Sequence, residues 1–270
     1  MPKPILKWAG GKRQLLPEIM KRMPESFKGY WEPFLGGGAL FFELHNRKTI
    51  SSGFLSDLNV DLISVYKYIR NEPQELIESI NNLNYGNNEN DYYAARKEFN
   101  SKPEPARRAA LMIYLNRHCF NGLYRVSSSG NFNVPFGRYR NPRIPDQDDI
   151  LSMSEALKNV ELECCDFEPA LKNVEKNDFV YLDPPYHPLS KTAFFTSYNS
   201  GSFGPAEQER LFSVFENVSS RGALVVMSNS DSQLIRELYS SFNIFEITAN
   251  RSINSDKSGR KGITELIITN

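Results

Sequence analysis

The sequence predicts an α/β protein with a mostly parallel sheet, an antiparallel hairpin at the sheet edge and a helical insertion. Strand patterns alternate with helical patterns in residues 1–60 and again in residues 160–270, as in parallel sheets with crossover helices. Residues 61–159 show apolar residues at helical spacing and little alternation of period two. The last two strand patterns have no helix between them, which predicts an antiparallel pair. We therefore expect a discontinuous α/β domain that is interrupted by the segment 61–159.

Each element follows from a local pattern. Short runs of β-branched and aromatic residues predict strands at 30–34, 53–56, 160–165, 179–182, 223–228, 242–249 and 263–269. Apolar residues at helical spacing predict helices at 13–23, 39–45, 60–69, 73–83, 92–100, 107–116, 206–219 and 232–241. In the first of these, Leu15, Leu16 and Ile19 share one face. Asparagine and glycine at residues 85–91 predict a loop.

The composition favours a reduced protein without a structural metal. A chain of 270 residues, 40% of them apolar, can bury a large core without covalent cross-links. Cys119, Cys164 and Cys165 do not make a disulfide framework, and no Cys/His spacing indicates zinc. No run of about 18 apolar residues indicates a membrane span, and the N-terminus lacks the apolar region of a signal peptide. We therefore expect a cytoplasmic protein with no metal and no membrane partner.

Two glycine turns and one acidic residue predict a cofactor site. Residues 3–12 form a short extended run that ends in two glycines and Lys12. A second glycine turn, at residues 35–38, links a predicted strand to a predicted helix, where a backbone can approach a cofactor closely. The next strand ends at Asp57, about 20 residues further on, where a carboxylate binds the ribose hydroxyls of an adenosine cofactor. Glycines are also ordinary turn formers, and the spacing differs from the dinucleotide fingerprint, so a purely structural role stays open.

The tetrapeptide Asp183-Pro184-Pro185-Tyr186 closes a predicted buried strand and has the groups needed to bind a planar amino compound. Two consecutive prolines have no N–H, so they end a sheet ladder and hold the backbone in a rigid turn. An exocyclic amine could donate one proton to the Asp183 carboxylate and the other to the Pro184 carbonyl, while Tyr186 stacks on its ring. The competing interpretation is an ordinary strand-ending turn, because Asp and Pro are common turn residues.

A basic segment lies in the middle of a chain that has 32 basic and 32 acidic residues overall. Residues 105–145 contain no acidic residue and seven arginines, namely Arg107, Arg108, Arg117, Arg125, Arg138, Arg140 and Arg143. Aromatic residues and asparagines lie between them, which is typical of segments that bind nucleic acid. Charged runs are also typical of solvated helix faces, and that alternative predicts no ligand.

Five motifs follow one another along nearly the whole chain. They are Lys-Trp-Ala-Gly-Gly-Lys at 7–12, Glu-Pro-Phe-Leu-Gly-Gly-Gly at 32–38, Asn-Gly-Leu-Tyr-Arg at 121–125, Phe-Asn-Val-Pro-Phe-Gly-Arg-Tyr at 132–139 and Asp-Pro-Pro-Tyr at 183–186. In content and order they resemble the Dam-like DNA adenine-N6 methyltransferases of the alpha class. The resemblance implies S-adenosylmethionine as cofactor, no metal, and a Rossmann-like methyltransferase sheet whose last strand is reversed. It makes residues 1–60 and 160–270 the catalytic domain and residues 61–159 the target-recognition domain.

The resemblance also implies roles for individual residues. The implied cofactor-binding residues are Trp8, Lys12, Phe34, Gly36, Gly38, Asp57, Asp166 and Asp183. The implied catalytic residues are Asp183, Pro184, Pro185 and Tyr186.

For DNA recognition, family members that recognise GATC use a lysine of the first motif, a Leu-x-Arg and a Val-Pro. Lys7, Leu123, Arg125 and Pro135 match this pattern, and GATC is the preferred site. Arginine can bind guanine O6 and N7, and leucine and proline can pack on thymine methyl groups. Further expected DNA contacts, in a DNA-reading hairpin at about 117–143, are Arg117, Asn121, Arg138 and Tyr139. Phe120 stands where other members carry tyrosine, so a hydroxyl contact is absent there.

The implied reaction is methyl transfer to N6 of an adenine flipped out of double-stranded DNA. A restriction endonuclease that acts on the same site without direct contact is a second candidate partner. A cytosine-N4 methyltransferase would use a similar loop, but that chemistry usually resembles Ser-Pro-Pro-Tyr. An RNA or protein-glutamine methyltransferase could also use a Pro-Pro-Tyr loop, although the arginine-rich insertion favours duplex DNA. A non-enzymatic DNA-binding protein would need the basic segment alone, without Asp57 or the glycine turns.

Overall fold

The computed structural model describes residues 1–8, 10, 15–188, 203–249 and 263–270. The chain forms two compact units. The helical unit comprises Met1–Gly11, Gly36–Ser52 and Asn59–Cys164, and the sheet unit comprises Lys12–Leu35, Gly53–Leu58 and Cys165–Asn270. Within the described ranges, every helix is too short or too polar to cross a membrane.

The elements follow the predicted order. The helices are α1 Leu16–Met20, α2 Ala39–Asn46, α3 Val60–Asn71, α4 Pro73–Asn81, α5 Glu89–Asn100, α6 Pro105–His118, α7 Gln147–Leu157, α8 Phe167–Ala170, α9 Pro205–Ser220 and α10 Gln233–Leu238, with a 3-10 turn at Phe120–Gly122. The strands are β1 Tyr30–Glu32, β2 Gly53–Asp57, β3 Val160–Cys164, β4 Phe179–Leu182, β5 Leu224–Ser230, β6 Asn243–Ala249 and β7 Ile263–Thr269.

The strands of the sheet unit lie side by side in the order β2-β1-β4-β5-β7-β6. Neighbours among β2, β1, β4 and β5 pair in parallel, whereas β7 runs antiparallel to both β5 and β6. Among these six strands, β7 alone is reversed. The predicted mostly parallel, Rossmann-like sheet with a reversed last strand is therefore confirmed.

The central strand β4 positions the Asp-Pro-Pro-Tyr loop. All four residues of Phe179–Leu182 are buried, because β4 pairs with β1 on one side and β5 on the other. A continuous apolar run is typical of a parallel strand with both faces covered. Leu182 packs in a cluster with Leu211 and Phe215 of α9. The two prolines that follow cannot extend the ladder, so the loop begins at the carboxyl edge of the sheet.

The helical unit is built around α6. Residues 109–116 of this helix are all buried, since α3, α4 and α5 pack against it on different sides. A helix that is apolar around its whole circumference is expected to lie inside a core. At its N-terminal end, Arg108 forms an ion pair with the buried Asp61 of α3, at 2.7 Å. The predicted helical insertion is thus present, while its role as a target-recognition domain with the boundaries 61–159 stays a prediction.

Several helices differ from the sequence prediction, and for α1, α5 and α7 the reason is local; α8 was also not predicted. The predicted helix 13–23 is observed from Leu16 to Met20, with residues 13 and 14 outside the described ranges. It ends before Pro24, since the residue before a proline disfavours the helical conformation. Helix α5 begins three residues before the predicted start because the Asn88 side chain caps it by accepting from the Asp91 N–H. Helix α7 was not predicted, although Asp146 and Asp149 form a capping box at its start.

Candidate active site

The carboxylate of Asp183 lies at the point where β4 ends. In the parallel register Leu182 is opposite Met227, so the next residues, Asp183 and Ser228, are neighbours across the two strands. The Ser228 hydroxyl donates to Asp183 Oδ1 at 2.9 Å. The Asp183 side chain is half-buried, and its orientation is therefore set by the sheet rather than by the loop alone.

The rest of the loop is held by side chains from β5, β7 and α9. Gln208 donates to the Pro185 carbonyl at 3.0 Å. The Ser230 hydroxyl donates to the His187 carbonyl at 2.6 Å. The Tyr186 hydroxyl donates to Glu265 at 2.9 Å.

Burial is the main cause that raises the pKa of the Tyr186 phenol well above its usual value, and the nearby Asp183 and Glu265 carboxyl groups raise it further. Tyr186 therefore stays neutral at physiological pH. The loop thus offers a carboxylate, backbone carbonyls and a neutral aromatic ring within one fixed turn, which are the groups that an exocyclic amine on a planar ring would need.

Besides Asp183 and Lys12, three predicted cofactor-binding residues belong to the sheet unit. Asp57 closes β2 and is half-buried. The Phe34 ring stacks on the Phe167 ring, with centroids 5.4 Å apart. Asp166 accepts two hydrogen bonds from the Arg210 guanidinium, at 2.7 and 2.8 Å. Arg210 is also the main cause that lowers the pKa of the Asp166 carboxyl group. The structure thus gives Asp166 a protein partner, which the sequence did not indicate.

Two predicted cofactor-binding glycines and Trp8 belong to the helical unit. Gly36 and Gly38 have φ values of +48° and +66°, in the left-handed region that favours glycine. A Cβ atom added to Gly36 would lie 2.8 Å from Trp8 Cδ1, so the indole fills the space beside this backbone. The Trp8 ring also stacks on the Tyr124 ring, with centroids 5.8 Å apart. Lys12, the remaining residue of the predicted set, lies outside the described residues.

Lys7 is joined to the predicted recognition turn by a buried asparagine. Asn116 is 1% exposed, and its amide accepts from the Lys7 N–H at 2.8 Å and donates to the Lys7 carbonyl at 2.7 Å. The same amide donates to the Gly122 carbonyl at 3.3 Å. Gly122 has φ +63°, and a Cβ there would lie 2.4 Å from Lys7 Cβ. The structure therefore brings Lys7 against the turn that contains the Asn-Gly-Leu-Tyr-Arg motif.

Tyr139 extends this arrangement to the second recognition motif. The Lys7 Nζ atom lies 4.1 Å from the centroid of the Tyr139 ring, a distance at which a cation–π interaction is favourable. The Tyr139 hydroxyl accepts a hydrogen bond from the Asn121 N–H at 3.0 Å. Burial, and secondarily Arg117, lowers the pKa of the Lys7 ammonium group. Four of the predicted DNA-contacting residues are thus near one another, namely Lys7, Arg117, Asn121 and Tyr139.

The predicted hairpin is closed by two antiparallel β-bridges, one between Cys119 and Phe136 and one between Val126 and Phe132. Its other predicted contacts are partly or fully exposed: Leu123 is half-buried, and Arg125, Pro135 and Arg138 are exposed. The Arg125 Nε atom donates to Asn133 Oδ1 at 2.7 Å. Arg138 pairs with Glu89 at 3.3 Å, and both side chains are largely solvent-exposed. Such an exposed pair is weak and can be exchanged for a phosphate contact.

The arginine-rich segment is less cationic than the sequence suggests. Its first two arginines pair with carboxylates from outside the segment, Arg107 with Glu98 at 2.8 Å and Arg108 with Asp61 at 2.7 Å. Arg143 likewise pairs with a carboxylate, Asp149, at 2.7 Å. Arg107 links α6 to α5 and Arg108 links α6 to α3, whereas Arg143 pairs with the first turn of α7. The sequence pattern did not show these partner carboxylates, and nucleic-acid binding by the segment stays a prediction.

Sequence reasoning missed several residues that position the site. Asn116, Tyr124, Gln208, Arg210 and Ser228 are among them. The only signal for Asn116 in the sequence was a polar residue at the end of an otherwise apolar stretch of predicted helix. Ser228 could be found only once the register between β4 and β5 was known.

The sheet with its reversed strand, and the acidic, proline-stiffened loop at the carboxyl edge of β4, define an α/β methyltransferase whose loop suits an exocyclic amine. A family model for D12 class N6 adenine-specific DNA methyltransferase matches residues 8–253. The chain belongs to this family, and it is an adenine-specific DNA methyltransferase. The resemblance drawn from the five motifs is confirmed, and the cytosine-N4 and non-enzymatic alternatives are set aside.

Curated relatives cover nearly the whole chain. The Type II methyltransferase M1.LlaDCHI of Lactococcus lactis subsp. cremoris is 45% identical over 274 residues, 99% of this chain and 95% of the relative. The Type II methyltransferase M.MjaIII of Methanocaldococcus jannaschii is 41% identical over 285 residues, 99% of each chain. The DNA adenine methylase of Escherichia coli strain K12 is 37% identical over 265 residues, 97% of this chain and 93% of the relative. This family's chemistry implies S-adenosylmethionine as methyl donor.

Proposed function

We propose that the enzyme methylates N6 of the adenine in GATC, and that it does so on a base flipped out of duplex DNA. The observation that carries the proposal is the fixed Asp-Pro-Pro-Tyr loop, whose carboxylate is oriented by Ser228 at 2.9 Å. An adenine inside a duplex is stacked and paired, so its N6 cannot reach such a loop. Flipping the base costs a few kcal/mol, which stacking on Tyr186 and phosphate contacts would offset.

The residues present are compatible with an adenosine-type cofactor. Asp57 supplies a carboxylate for ribose hydroxyls, and we assign Phe34, with Gly36 and Gly38, to the loop under the methionine moiety. Gly36 and Gly38 have left-handed φ values, and glycine at such a turn allows a cofactor to approach the backbone closely. We assign Trp8, Lys12, Asp166 and Asp183 to the same cofactor. S-adenosylmethionine, when bound, supplies a methyl group already activated on a sulfonium, so the protein has to provide only binding and orientation.

Adenine N6 is a poor nucleophile because its lone pair is delocalised into the ring. In the proposed mechanism, Asp183 accepts a hydrogen bond from one N6–H and the Pro184 carbonyl accepts a hydrogen bond from the other, which draws the lone pair out of conjugation. After methyl transfer, N6 releases one proton, either to Asp183 or to water. The Asp183 carboxylate also stabilises the positive charge that develops on N6. Tyr186 stacks on the purine, and Pro185 keeps the turn rigid.

GATC recognition is proposed from the residues around Lys7. Arg125 and Lys7 have the donors that bind guanine O6 and N7, and Leu123 and Pro135 can pack on thymine methyl groups. Arg117, Asn121, Arg138 and Tyr139 are assigned to the DNA backbone or to neighbouring bases. The proximity of Lys7, Asn121 and Tyr139 in the helical unit supports a single recognition surface.

A cognate restriction endonuclease that acts on the same site, without touching this enzyme, is proposed as a partner in the wider sense. The relatives that are Type II methyltransferases support this role, and the relatives that are DNA adenine methylases support a solitary role. Expressing this protein alone in cells that lack adenine methylation, and challenging the DNA with GATC-cleaving nucleases, reports protection directly.

The methylated base and the target sequence are both determined from one DNA preparation. Nucleosides from the methylated DNA are identified by mass analysis, and modified positions are mapped by sequencing. We expect N6-methyladenine, confined to GATC. N4-methylcytosine would overturn the adenine assignment, whereas N6-methyladenine in another sequence would overturn the GATC proposal and leave the chemistry intact.

A further inference from the structure

A buried hydrogen-bond chain ends on the carboxylate of Asp183. Ser228 is 0% exposed and Tyr181 is 1% exposed. The Tyr181 hydroxyl lies 3.2 Å from Ser228 Oγ, and Ser228 Oγ donates to Asp183 Oδ1 at 2.9 Å. Because the only hydroxyl proton of Ser228 goes to the carboxylate, Tyr181 has to be the donor in the first of these bonds. Both hydrogen bonds therefore point toward Asp183.

The sheet register creates this chain. Tyr181 and Asp183 are two residues apart at the end of β4, so their side chains leave the same face of the strand. Ser228 on β5 is two residues beyond Val226, which is opposite Tyr181. Its hydroxyl therefore lies between the two β4 side chains. An alanine at position 228 would keep the strand and remove the hydroxyl that links Tyr181 to Asp183.

The charges around the chain keep Tyr181 in the donor state. Burial is the main cause that raises the pKa of the Tyr181 phenol, and the carboxyl groups of Asp183, Glu32 and Glu265 raise it further. These groups come from the loop, β1 and β7, and the Tyr186 phenol also lies near Asp183. A phenol among three carboxyl groups stays protonated and can donate to Ser228.

We propose that Ser228, supported by Tyr181, is the positioning residue that keeps the Asp183 carboxylate ionised and aimed at the substrate amine. The inference rests on the proposed function, since it takes Asp183 as the group that accepts the N6 proton in a hydrogen bond. An ionised carboxylate accepts that bond more strongly than a protonated carboxyl group does, and it alone carries the negative charge that stabilises positive charge on N6. The tyrosine and serine would not touch the substrate themselves.

The test compares Ser228→Ala and Tyr181→Phe with the wild-type enzyme, using labelled S-adenosylmethionine and a GATC duplex. For Ser228→Ala we expect kcat to fall about tenfold or more, the effect of losing one hydrogen bond to a charged group. The KM values for both substrates should change less than about twofold. The acid limb of the kcat/KM profile should move to higher pH, because loss of a donor to the ionised form raises the pKa of Asp183. Tyr181→Phe should show a smaller change in the same direction.

Ser230→Ala is the matched control. It removes a buried hydroxyl from the same strand, but that hydroxyl donates to the His187 carbonyl and not to Asp183. We expect a similar loss of thermal stability and no movement of the acid limb. The inference would be overturned if Ser228→Ala kept the wild-type kcat and the wild-type acid limb of the kcat/KM profile. It would also be overturned if Ser230→Ala showed the same shift of the acid limb as Ser228→Ala. Either result would leave the proposed function intact. If Ser228→Ala does not fold, an unchanged profile in Tyr181→Phe overturns it instead. A wild-type protein that transfers no methyl group to adenine would overturn the proposed function and the inference together.

Discussion

Gly36 offers a sharp test of the predicted cofactor turn, because its neighbour Gly37 provides a control. Gly36 has φ +48°, and a Cβ there would meet the Trp8 indole at 2.8 Å. A left-handed conformation costs an L-residue about 1–2 kcal/mol, and the displaced indole adds to that. At Gly37 the nearest atom to an added Cβ is 3.6 Å away, an ordinary contact. We expect Gly36→Ala to be destabilised by at least about 1–2 kcal/mol and Gly37→Ala to remain within about 0.5 kcal/mol of the wild type.

The same substitution should weaken cofactor binding, since Trp8 and the Gly36 backbone are both assigned to the cofactor. Movement of either one should raise the Kd for S-adenosylmethionine about tenfold, which corresponds to about 1.4 kcal/mol. Urea unfolding measures the first quantity and titration calorimetry the second. The reasoning is refuted if Gly36→Ala binds the cofactor as tightly as Gly37→Ala, or if both variants lose the same stability.

Two further predictions concern the recognition turn and the Asp166 ion pair. Gly122 and Gly130 both have positive φ, but only a Cβ at Gly122 would strike Lys7, at 2.4 Å, while nothing lies within 4 Å at Gly130. Gly122→Ala should therefore lower discrimination between GATC and single-mismatch duplexes at least about tenfold, whereas Gly130→Ala should reduce only stability. Equal discrimination by the two variants in binding assays would contradict this prediction. Because Arg210 lowers the pKa of Asp166, the pair stabilises the fold above the unfolded Asp pKa of about 3.9, and this contribution is lost as pH falls through the lower folded pKa. The difference in Tm between wild type and Arg210→Gln should accordingly shrink in acid, and a constant difference from pH 7 down to pH about 2 would exclude the ionic explanation.

The sequence was sufficient for the fold class because its strong signals are local. The apolar run Phe179–Leu182 before two prolines identifies a central parallel strand, and all four residues are indeed buried. The two final strand patterns without a helix between them identify the antiparallel pair around β7. Where local signals compete, prediction failed, as with helix α7, whose polar first turn resembles a loop until the capping box is recognised.

The parts of the site that could not be predicted depend on contacts between distant residues. Asn116 and Lys7 are 109 residues apart in the chain, yet the asparagine amide binds both the N–H and the carbonyl of Lys7. The sequence around Arg108 does not indicate an acidic partner for it, but Asp61, 47 residues earlier, pairs with it. Such partners are set by packing, and no spacing rule in one sequence reveals them. The roles of the cofactor and DNA residues stay predictions for the same reason.

The Asn116 amide also joins the first motif to the segment that contains Gly122. It ties Lys7 to the Gly122 carbonyl, while the next residue, Trp8, stacks on Tyr124. Tyr124 in turn donates to the buried Asp61 at 2.7 Å. The first motif and the recognition motif are thus packed together within the helical unit.

The central claim is that Asp183 presents the adenine amine for methylation. The most direct measurement is single-turnover methyl transfer by Asp183→Ala, with binding of the same GATC duplex measured in parallel. We expect transfer to be abolished while specific DNA binding is largely retained. Methyl transfer by the variant at close to the wild-type rate would contradict the claim.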